Sequence, residues 1–270
     1  MKSIKLFQLT LFSFVFAILL TNGIEAQSTQ TIPLSKPNQP GKLVIQSVFA
    51  DEIIIRAYDG KEVLVKYDGD DEDNEYNSKR GGLRRISTSG VGLEITEDNN
   101  EVCIKTSPNS HDLELEVLVP RKFSLKLSVT HGDVEVYGID GEHDISTVNG
   151  DVEMQNISGS VVANSVNGDM EISFDKVTAG VPMSFTGVNG DIDIAFPEDV
   201  KMYAKMKTEW GDVLTDFDME LDRSSSSEVS KGDGKYKVVV NKWVYGKVNG
   251  GTTEFLFKTL HGDISIRKNK

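Results

Sequence analysis

The tripeptide Asn-Gly-Asp occurs three times between residues 149 and 191, each time preceded by Val and followed by alternating apolar and acidic residues. Related units in which His or Trp replaces Asn extend the series in both directions. The units that contain Gly132, Gly150 and Gly168 lie 18 residues apart. A repeat of fixed period constrains the fold of a chain more strongly than any single motif. The glycines of the six units, which we expect in structural turns, are Gly132, Gly150, Gly168, Gly190, Gly211 and Gly262.

Further glycines at 141 and 159 lie midway between these units, so the smallest repeat has nine residues. Asn-Gly favours a tight turn, because Asn tolerates positive φ and Gly prefers it. After the turn, the order Asp151, Val152, Glu153, Met154 has the period of two expected for a strand with one buried face.

A nine-residue unit cannot bury its apolar face alone, whereas stacked units form a continuous core. The pattern therefore predicts an all-β chain with a β-solenoid over residues 128–270, right-handed by the usual chirality of strand crossovers. An antiparallel sandwich with hairpins at the same glycines remains an alternative.

The remainder of the chain is less regular. Residues 41–127 contain short apolar strands at irregular spacing and predict an N-terminal β-strand region. Residues 27–40 contain three prolines and predict a flexible leader. A serine-rich stretch near 216–235 predicts a mobile excursion from the solenoid.

Residues 1–26 have the pattern of a secretory signal peptide: a basic start, a short apolar run and Ala26 at the boundary. The run is short for a membrane span of about 20 residues, so we expect cleavage and no remaining span, with an uncleaved anchor as the alternative. The sequence thus predicts export to the periplasm, the outer surface or the medium.

The formal charge of the chain is −13 and becomes −14 when Lys2, Lys5 and Glu25 leave with the signal. So acidic a chain is a poor ligand for nucleic acid, because phosphate contacts need clustered Lys and Arg. Cys103 is the only cysteine and cannot form an intrachain disulfide; its apolar neighbours predict a buried thiol.

From Leu118-Val119-Pro120 through Gly132-Asp133 and the Val-Asn-Gly-Asp units, the sequence resembles a bacterial family of β-strand-repeat proteins labelled "putative adhesins", a domain of unknown function common in Bacteroidetes and other bacteria. The resemblance extends from about Gly41 to Lys268. It implies an exported domain like a β-solenoid and carries over no catalytic residue.

The aspartates of the repeat are the candidate metal ligands. Stacked coils would place them at one corner, about 4.8 Å apart, where like charges repel unless the carboxylates accept N–H bonds or share a cation. The simplest interpretation is an Asx-type bond that closes each turn. Calcium bound between rungs is the alternative, since Ca²⁺ takes six to eight oxygens. The candidate cation ladder comprises Asp133, Asp151, Asp169, Asp191 and Asp212.

A second calcium hypothesis concerns the acidic block that begins at Asp68. Asp68, Asp70 and Glu72 alternate somewhat like EF-hand ligands, but the required glycine and final Glu are out of register. A solvated loop is the simpler interpretation, because charged blocks are costly to bury.

The sequence indicates no catalytic residue and no cofactor. The histidines at 111, 131, 143 and 261 are scattered and suggest no Ser-His-Asp triad. Trp210 and Trp243 could stack on sugar rings or pack at the end of the solenoid. Tight turns leave no long loops to enclose a sugar, and the repeated acids have near-identical settings, which argues against a glycosidase.

These observations predict a non-enzymatic adhesin or scaffold module of the cell envelope, with an unknown protein or glycan as partner. A carbohydrate-active enzyme of the β-helix type is the first alternative. A periplasmic sensor or regulatory partner is the second.

Overall fold

The computed structural model describes residues 28–68, 92–107, 113–222, 227–232, 235–240 and 243–269, with the backbone alone described in 227–232 and 235–240. All regular elements within these ranges are β-strands, and no helix there is long and apolar enough to cross a membrane. The strands are Ser28–Pro33 (β1), Gly41–Tyr58 (β2), Glu62–Asp68 (β3), Leu93–Asp98 (β4), Glu101–Thr106 (β5), Glu114–Pro120 (β6), Phe123–Tyr137 (β7), Asp140–Asn149 (β8), Val152–Asn167 (β9), Met170–Val177 (β10), Met183–Asn189 (β11), Ile192–Phe196 (β12), Met202–Lys207 (β13), Val213–Thr215 (β14), Met219–Leu221 (β15), Ser227–Gly232 (β16), Lys235–Val240 (β17), Val244–Val248 (β18), Glu254–Lys258 (β19) and Ile264–Lys268 (β20).

Each coil contributes one strand segment before its Asn-Gly-Asp corner and one after it. Layer 1 contains the segments before the corner, with β4 and β5 at one end and β18 and β15 at the other, in the order β4, β5, β2, β7, β8, β9, β11, β19, β13, β18, β15. Layer 2 contains the segments after the corner, with β1, β3 and β6 at one end, in the order β1, β3, β6, β2, β7, β9, β10, β12, β20, β14. The long strands β2, β7 and β9 bend and belong to both layers.

Successive coils run parallel to one another. Val152 lies opposite both Val134 and Met170, and Ala163 lies opposite both Ile145 and Phe185. The predicted all-β, solenoid-like fold is therefore confirmed. The alternative antiparallel sandwich is wrong, because its neighbouring strands would alternate in direction.

The core lies between the two layers, and the predicted alternation holds. Val152 and Met154 are buried, whereas Asp151 is exposed and Glu153 partly exposed. Near the C-terminal end the core becomes aromatic: Phe196 stacks on Phe174 with ring centroids 5.0 Å apart. Cys103 follows the same alternation and points outward, partly exposed, between buried neighbours, so the predicted buried thiol is wrong.

The C-terminal coil does not lie at the end of the stack. Strand β19 pairs in parallel with both β11 and β13, and β20 pairs with both β12 and β14. Residues 254–268 are therefore inserted between the coil of residues 183–196 and the coil of residues 202–215. If the coils stacked in the order of the chain, as the repeat predicts, Asp191 would lie beside Asp212. This prediction is wrong, because Asp263 lies between them.

The regular coils begin before residue 128. β2 pairs with β7 along both of its halves, from Gly41 opposite Phe123 to Arg56 opposite Tyr137. The strands of the predicted N-terminal region and of the predicted solenoid thus share the same two layers. The predicted division at residue 127 marks a change in repeat regularity and not a break in the layers.

The predicted flexible leader is instead attached to the fold. β1 pairs antiparallel with β3, and Leu34 is buried. The backbone and hydroxyl of Ser35 donate hydrogen bonds to the Glu97 carboxylate, which lowers the pKa of that group. Pro33 is the last residue of β1, an edge strand, where proline is tolerated, and Pro37 and Pro40 lie between β1 and β2.

The predicted excursion near 216–235 begins as part of the fold. Phe217 is buried, and β15 pairs with β18. This segment covers the open end of the core because a solenoid end would otherwise expose apolar side chains. β16 and β17 form a separate hairpin. The predicted signal peptide and the acidic block after Asp68 lie outside the described residues.

Candidate functional site: the corner ladder

The Asn-Gly-Asp corners stack into a series that we call the corner ladder, in the spatial order of Gly132, Gly150, Gly168, Gly190, Gly262 and Gly211. Its most regular feature is a chain of carboxylate contacts. The backbone N–H of each Asp after Asp133 donates to Oδ1 of the Asp in the preceding rung at 2.7–2.9 Å. The acceptors are Asp133, Asp151, Asp169, Asp191 and Asp263. The bond joins two rungs, which differs from the predicted Asx bond within one turn.

The glycines are required at the corner for two separate reasons. Gly150 and Gly168 have φ of +140° and +145°, a region that side chains disfavour. In addition, a Cβ on Gly168 would lie 2.1 Å from the carbonyl oxygen of Gly150. Gly211 is not among the positive-φ glycines, but a Cβ there would lie equally close to the oxygen of Gly262.

The side chains that precede these glycines form a second chain of contacts. Asn167 donates from Nδ2 to Oδ1 of Asn149 at 2.9 Å, and Asn189 donates to Asn167 at 2.8 Å. His131 and His261 continue the row at its two ends, at 3.2 Å from Asn149 Nδ2 and 3.0 Å from Asn189 Oδ1. Two of the four histidines are therefore ladder residues.

Aromatic rings close both ends of this row. Phe49 stacks on His131 with centroids 4.9 Å apart, and Trp210 stacks on His261 at 6.3 Å. Trp210 keeps 71% of its surface exposed. The other tryptophan, Trp243, packs differently, beside Tyr245 and under the ammonium group of Lys205.

One oxygen of each inner ladder carboxylate is thus held by a backbone N–H, which leaves the second oxygen for another ligand. In the part of the chain that the structure describes, no group of three or more His, Cys, Asp or Glu side chains is placed to hold a metal ion. Calcium binding by the predicted ladder from Asp133 to Asp212 stays a prediction.

An apolar row follows the ladder on the outside of layer 1. The residue before each ladder Asn or His points to solvent, and most of these residues are aliphatic. Their side chains are each 36–40% exposed. Val48 holds the same position before Phe49, which lies opposite His131, and Thr130 separates Val48 from Val148. We call the set of Val48, Val148, Val166, Val188 and Leu260 the apolar corner row. The repeat makes these valines visible in the sequence. Their exposure is not predictable from it, because an apolar residue beside a turn is usually expected to lie in the core.

Layer 2 carries carboxylates on its outer surface. Glu135, Glu153, Glu171 and Asp193 lie opposite one another on successive strands. At the near end of this row, burial and then the Glu135 carboxylate raise the pKa of Glu52.

Glu135 also has a hydroxyl partner. Tyr137 donates to Glu135 at 2.7 Å, and this bond, followed by burial, raises the pKa of Tyr137 to about 12. The Arg56 guanidinium lies 4.1 Å from the centroid of the Tyr137 ring and 3.9 Å from Glu135. This contact provides a positive charge at one end of the acidic row.

The far end of the acidic row borders a depression of about 450 Å³. Glu171 and Asp193 line it from neighbouring strands, and Arg267 contacts Asp193 at 2.5 Å. Burial raises the pKa of Asp193, and the guanidinium offsets this in part. The sequence did not indicate this depression, because its wall depends on the inserted strand β20.

The third described histidine is buried in the core. Neither ring nitrogen of His143 has a hydrogen bond of good geometry. Burial lowers the pKa of His143 to about 4, and the Ser158 backbone and the Asp140 carboxylate offset this only in part. His143 is therefore neutral at physiological pH and closed off from solvent, away from the ladder and the depression.

Comparison with known proteins gives three results. No curated protein matches the chain. One solved structure, described as a "putative cell adhesion protein" from Clostridium sporogenes, is 13% identical over 90% of this chain and 100% of that chain, with a TM-score of 0.43. The profile of the Toastrack DUF4097 family matches residues 104–267, more than half of the chain. The chain therefore belongs to the Toastrack DUF4097 family, which confirms the resemblance to a β-strand-repeat family of unknown function.

Proposed function

We propose that the chain is an exported, non-enzymatic binding module of the cell envelope, which acts as an adhesin or scaffold through the surface of its stacked coils. The observation that carries this proposal is the apolar corner row. Five aliphatic side chains are exposed along one edge of the stack, and four of them, Val148, Val166, Val188 and Leu260, lie on successive rungs. Contiguous exposed apolar surface marks interaction sites in soluble proteins.

The geometry of this row suits a protein partner. Parallel pairing holds Val148, Val166 and Val188 on successive rungs, and strands in a sheet are about 4.8 Å apart. The asparagine contacts beside them fix the backbone of the same rungs. Such a row is preordered, so a partner that covers it loses little freedom of this chain on binding.

The partner is an unknown protein or glycan at the cell surface, and the aliphatic character of the row favours a protein. The outer acidic row of layer 2 supports a module that stays in solution and does not bind nucleic acid. Like charges keep separate molecules apart and repel the phosphates of nucleic acid. Export depends on the predicted signal at residues 1–26. The N-terminal residue of the secreted chain, read by mass spectrometry, tests cleavage after Ala26.

The apolar corner row is tested by the triple variant Val148→Ser, Val166→Ser, Val188→Ser. We expect this variant to bind envelope fragments at least tenfold more weakly than the unaltered chain in a co-sedimentation assay. A matched control replaces Ser146, Asn164 and Thr186 by Ala, because these residues lie on the same layer in the adjacent row. Equal binding by both variants, with unchanged melting temperatures, would overturn the proposal.

A carbohydrate-active enzyme is the second candidate, and the depression near Asp193 is the observation that favours it. Glu171 and Asp193 are neighbours across two strands and differ in burial, as an acid and a nucleophile must. Against it, Arg267 already pairs with Asp193. Release of reducing ends from envelope polysaccharide that disappears in Glu171→Gln would establish this activity, and no release would exclude it for that substrate.

A further inference from the structure

The last rung of the corner ladder, formed by Trp210, Gly211 and Asp212, ends with unused bonding groups. Each inner rung offers three groups to the next. Gly190 donates its N–H to the His261 carbonyl and Ile192 donates to the Asp263 carbonyl, both at 2.9 Å. The Asp191 carboxylate accepts the N–H of Asp263 at 2.7 Å.

The corresponding groups of the last rung are the N–H of Gly211, the N–H of Val213 and the carboxylate of Asp212. β14 pairs with β20 on one side, and its other side has no partner strand among the described residues. None of the three groups has a hydrogen-bond partner in the described chain. The end of the ladder is therefore a template for one more parallel strand, which is how extended peptides add to sheet edges.

Apolar surface accompanies this edge. Trp210 uses one face of its ring on His261 and remains 71% exposed, and Leu214 in β14 is 52% exposed. In every inner rung the equivalent of Trp210 has a side chain stacked or hydrogen-bonded on its other face. An added strand would place a side chain over the free face of Trp210.

The charge around the edge selects the kind of strand. Residues 209–222 contain six acidic residues and no Lys, Arg or His. Asp212, Asp218 and Glu220 have no ion pair in the described chain. Pairing of β14 with β14 of a second copy would bring two such segments together, and this like-charge contact is unfavourable.

We propose that this edge, defined by residues 210–215, binds an extended basic segment of another polypeptide as an additional strand parallel to β14. An Arg or Lys side chain of the segment lies over Trp210, where the indole face attracts a cation. The next residue of the segment is Gly. This follows because each ladder glycine after Gly132 lies so close to the carbonyl oxygen of the glycine in the preceding rung that a Cβ would be 2.1 Å or 2.2 Å from it.

This site goes beyond the proposed function and uses no side chain of the apolar corner row. The probe is a fluorescein-labelled peptide Lys-Arg-Gly-Lys-Val-Arg-Val, measured by fluorescence anisotropy against the chain without its first 26 residues. Two control peptides have the central Gly replaced by Val, or every Lys and Arg replaced by Glu. We expect both control peptides to bind at least tenfold more weakly than the probe.

Chain variants locate the contact. Trp210→Ala, at an exposed position, should weaken probe binding at least tenfold. Val213→Pro removes the outward N–H and should abolish binding, whereas Val213→Ala keeps the N–H and should retain it. In amide NMR spectra, the probe should shift the signals of Gly211 and Val213. The triple valine variant of the apolar corner row should bind the probe like the unaltered chain.

Three outcomes would overturn the proposal. The first is no probe binding at micromolar concentration. The second is binding that Trp210→Ala and Val213→Pro leave unchanged. The third is a concentration-dependent dimer in analytical ultracentrifugation in which Gly211 and Val213 are already protected from exchange, because a second copy would then occupy the edge.

Discussion

The backbone N–H of Asp169 donates a 2.8 Å hydrogen bond to Oδ1 of Asp151, a residue 18 positions earlier in the chain. The contact recurs along the corner ladder, so each carboxylate is both an exposed charge and a clamp between rungs. A carboxylate that accepts a backbone N–H makes a stronger bond than a neutral acceptor. The carboxylates at the corner therefore stabilise the stacking of the rungs in addition to adding negative charge to the surface.

We predict that Asp151→Ala lowers the free energy of unfolding by about 1–2 kcal/mol, because the N–H of Asp169 loses its acceptor. Asp151→Asn keeps an acceptor oxygen and should lose less than Asp151→Ala. Urea unfolding measures both. Asp144→Ala is the control, since Asp144 is exposed and has only a surface ion pair with Lys126 at 3.7 Å. Equal losses at positions 144 and 151 would show that the ladder bond adds nothing.

The second prediction separates backbone strain from steric contact. Gly168→Ala adds a Cβ at 2.1 Å from the Gly150 oxygen in a backbone of φ +145°, and we expect it to destabilise the fold by about 3 kcal/mol or more. Gly250→Ala also has positive φ, at +66°, but nothing lies within 4 Å of the added Cβ. It should lose only about 1 kcal/mol. Similar melting temperatures for the two variants would contradict the steric contribution.

The repeat made much of this fold predictable. Asn-Gly-Asp predicts the corners, and the alternation after Asp151 predicts that Val152 and Met154 are buried. Both predictions succeed because they depend only on residues close together in the chain. The position of the C-terminal coil is not local: the unit around Gly262 looks like the others, and nothing in its residues says that it enters between the coils of 183–196 and 202–215. Only the pairing of β19 with two different strands reveals this order.

The candidate site was predictable to a smaller extent. The aspartates were expected at one corner, but the bond from Asp169 to Asp151 joins rungs whose register only the stacking defines. The exposure of Val148 and the outward Cys103 depend on which face of a strand meets the core, and a one-residue shift reverses that choice. The edge at β14 depends on the inserted coil, so no sequence signal could have indicated it.

The third prediction concerns pH. Burial lowers the pKa of His143 from 6.5 to about 4, so the folded chain keeps this ring neutral. The stability that depends on neutral His143 is fully present above pH 6.5 and is lost as the pH falls from 6.5 toward 4. The shift corresponds to a loss of roughly 3 kcal/mol across that window.

His143→Leu isolates this effect, because the residues opposite position 143 in neighbouring coils are Leu125 and Val161. We expect the variant to be more stable than the unaltered chain at pH 5 and to lose less stability between pH 6.5 and 4. Urea unfolding at several pH values measures both. Identical pH profiles would mean that another group causes the acid sensitivity.

The fourth prediction follows from the inserted C-terminal coil. Phe257 in β19 lies opposite Phe185 on one side and Met206 on the other, and its ring stacks on Phe185 with centroids 5.2 Å apart. Phe257→Ala should lower stability by about 3–5 kcal/mol. In a serial solenoid, a substitution in the last coil would loosen only the end of the stack. Here amide hydrogen exchange should accelerate in both β11 and β13, because the inserted strand joins them.

Phe217→Ala, at the actual end of the core, is the control and should leave β11 protected. Acceleration confined to β13 in Phe257→Ala would contradict the inserted order and restore a serial stack.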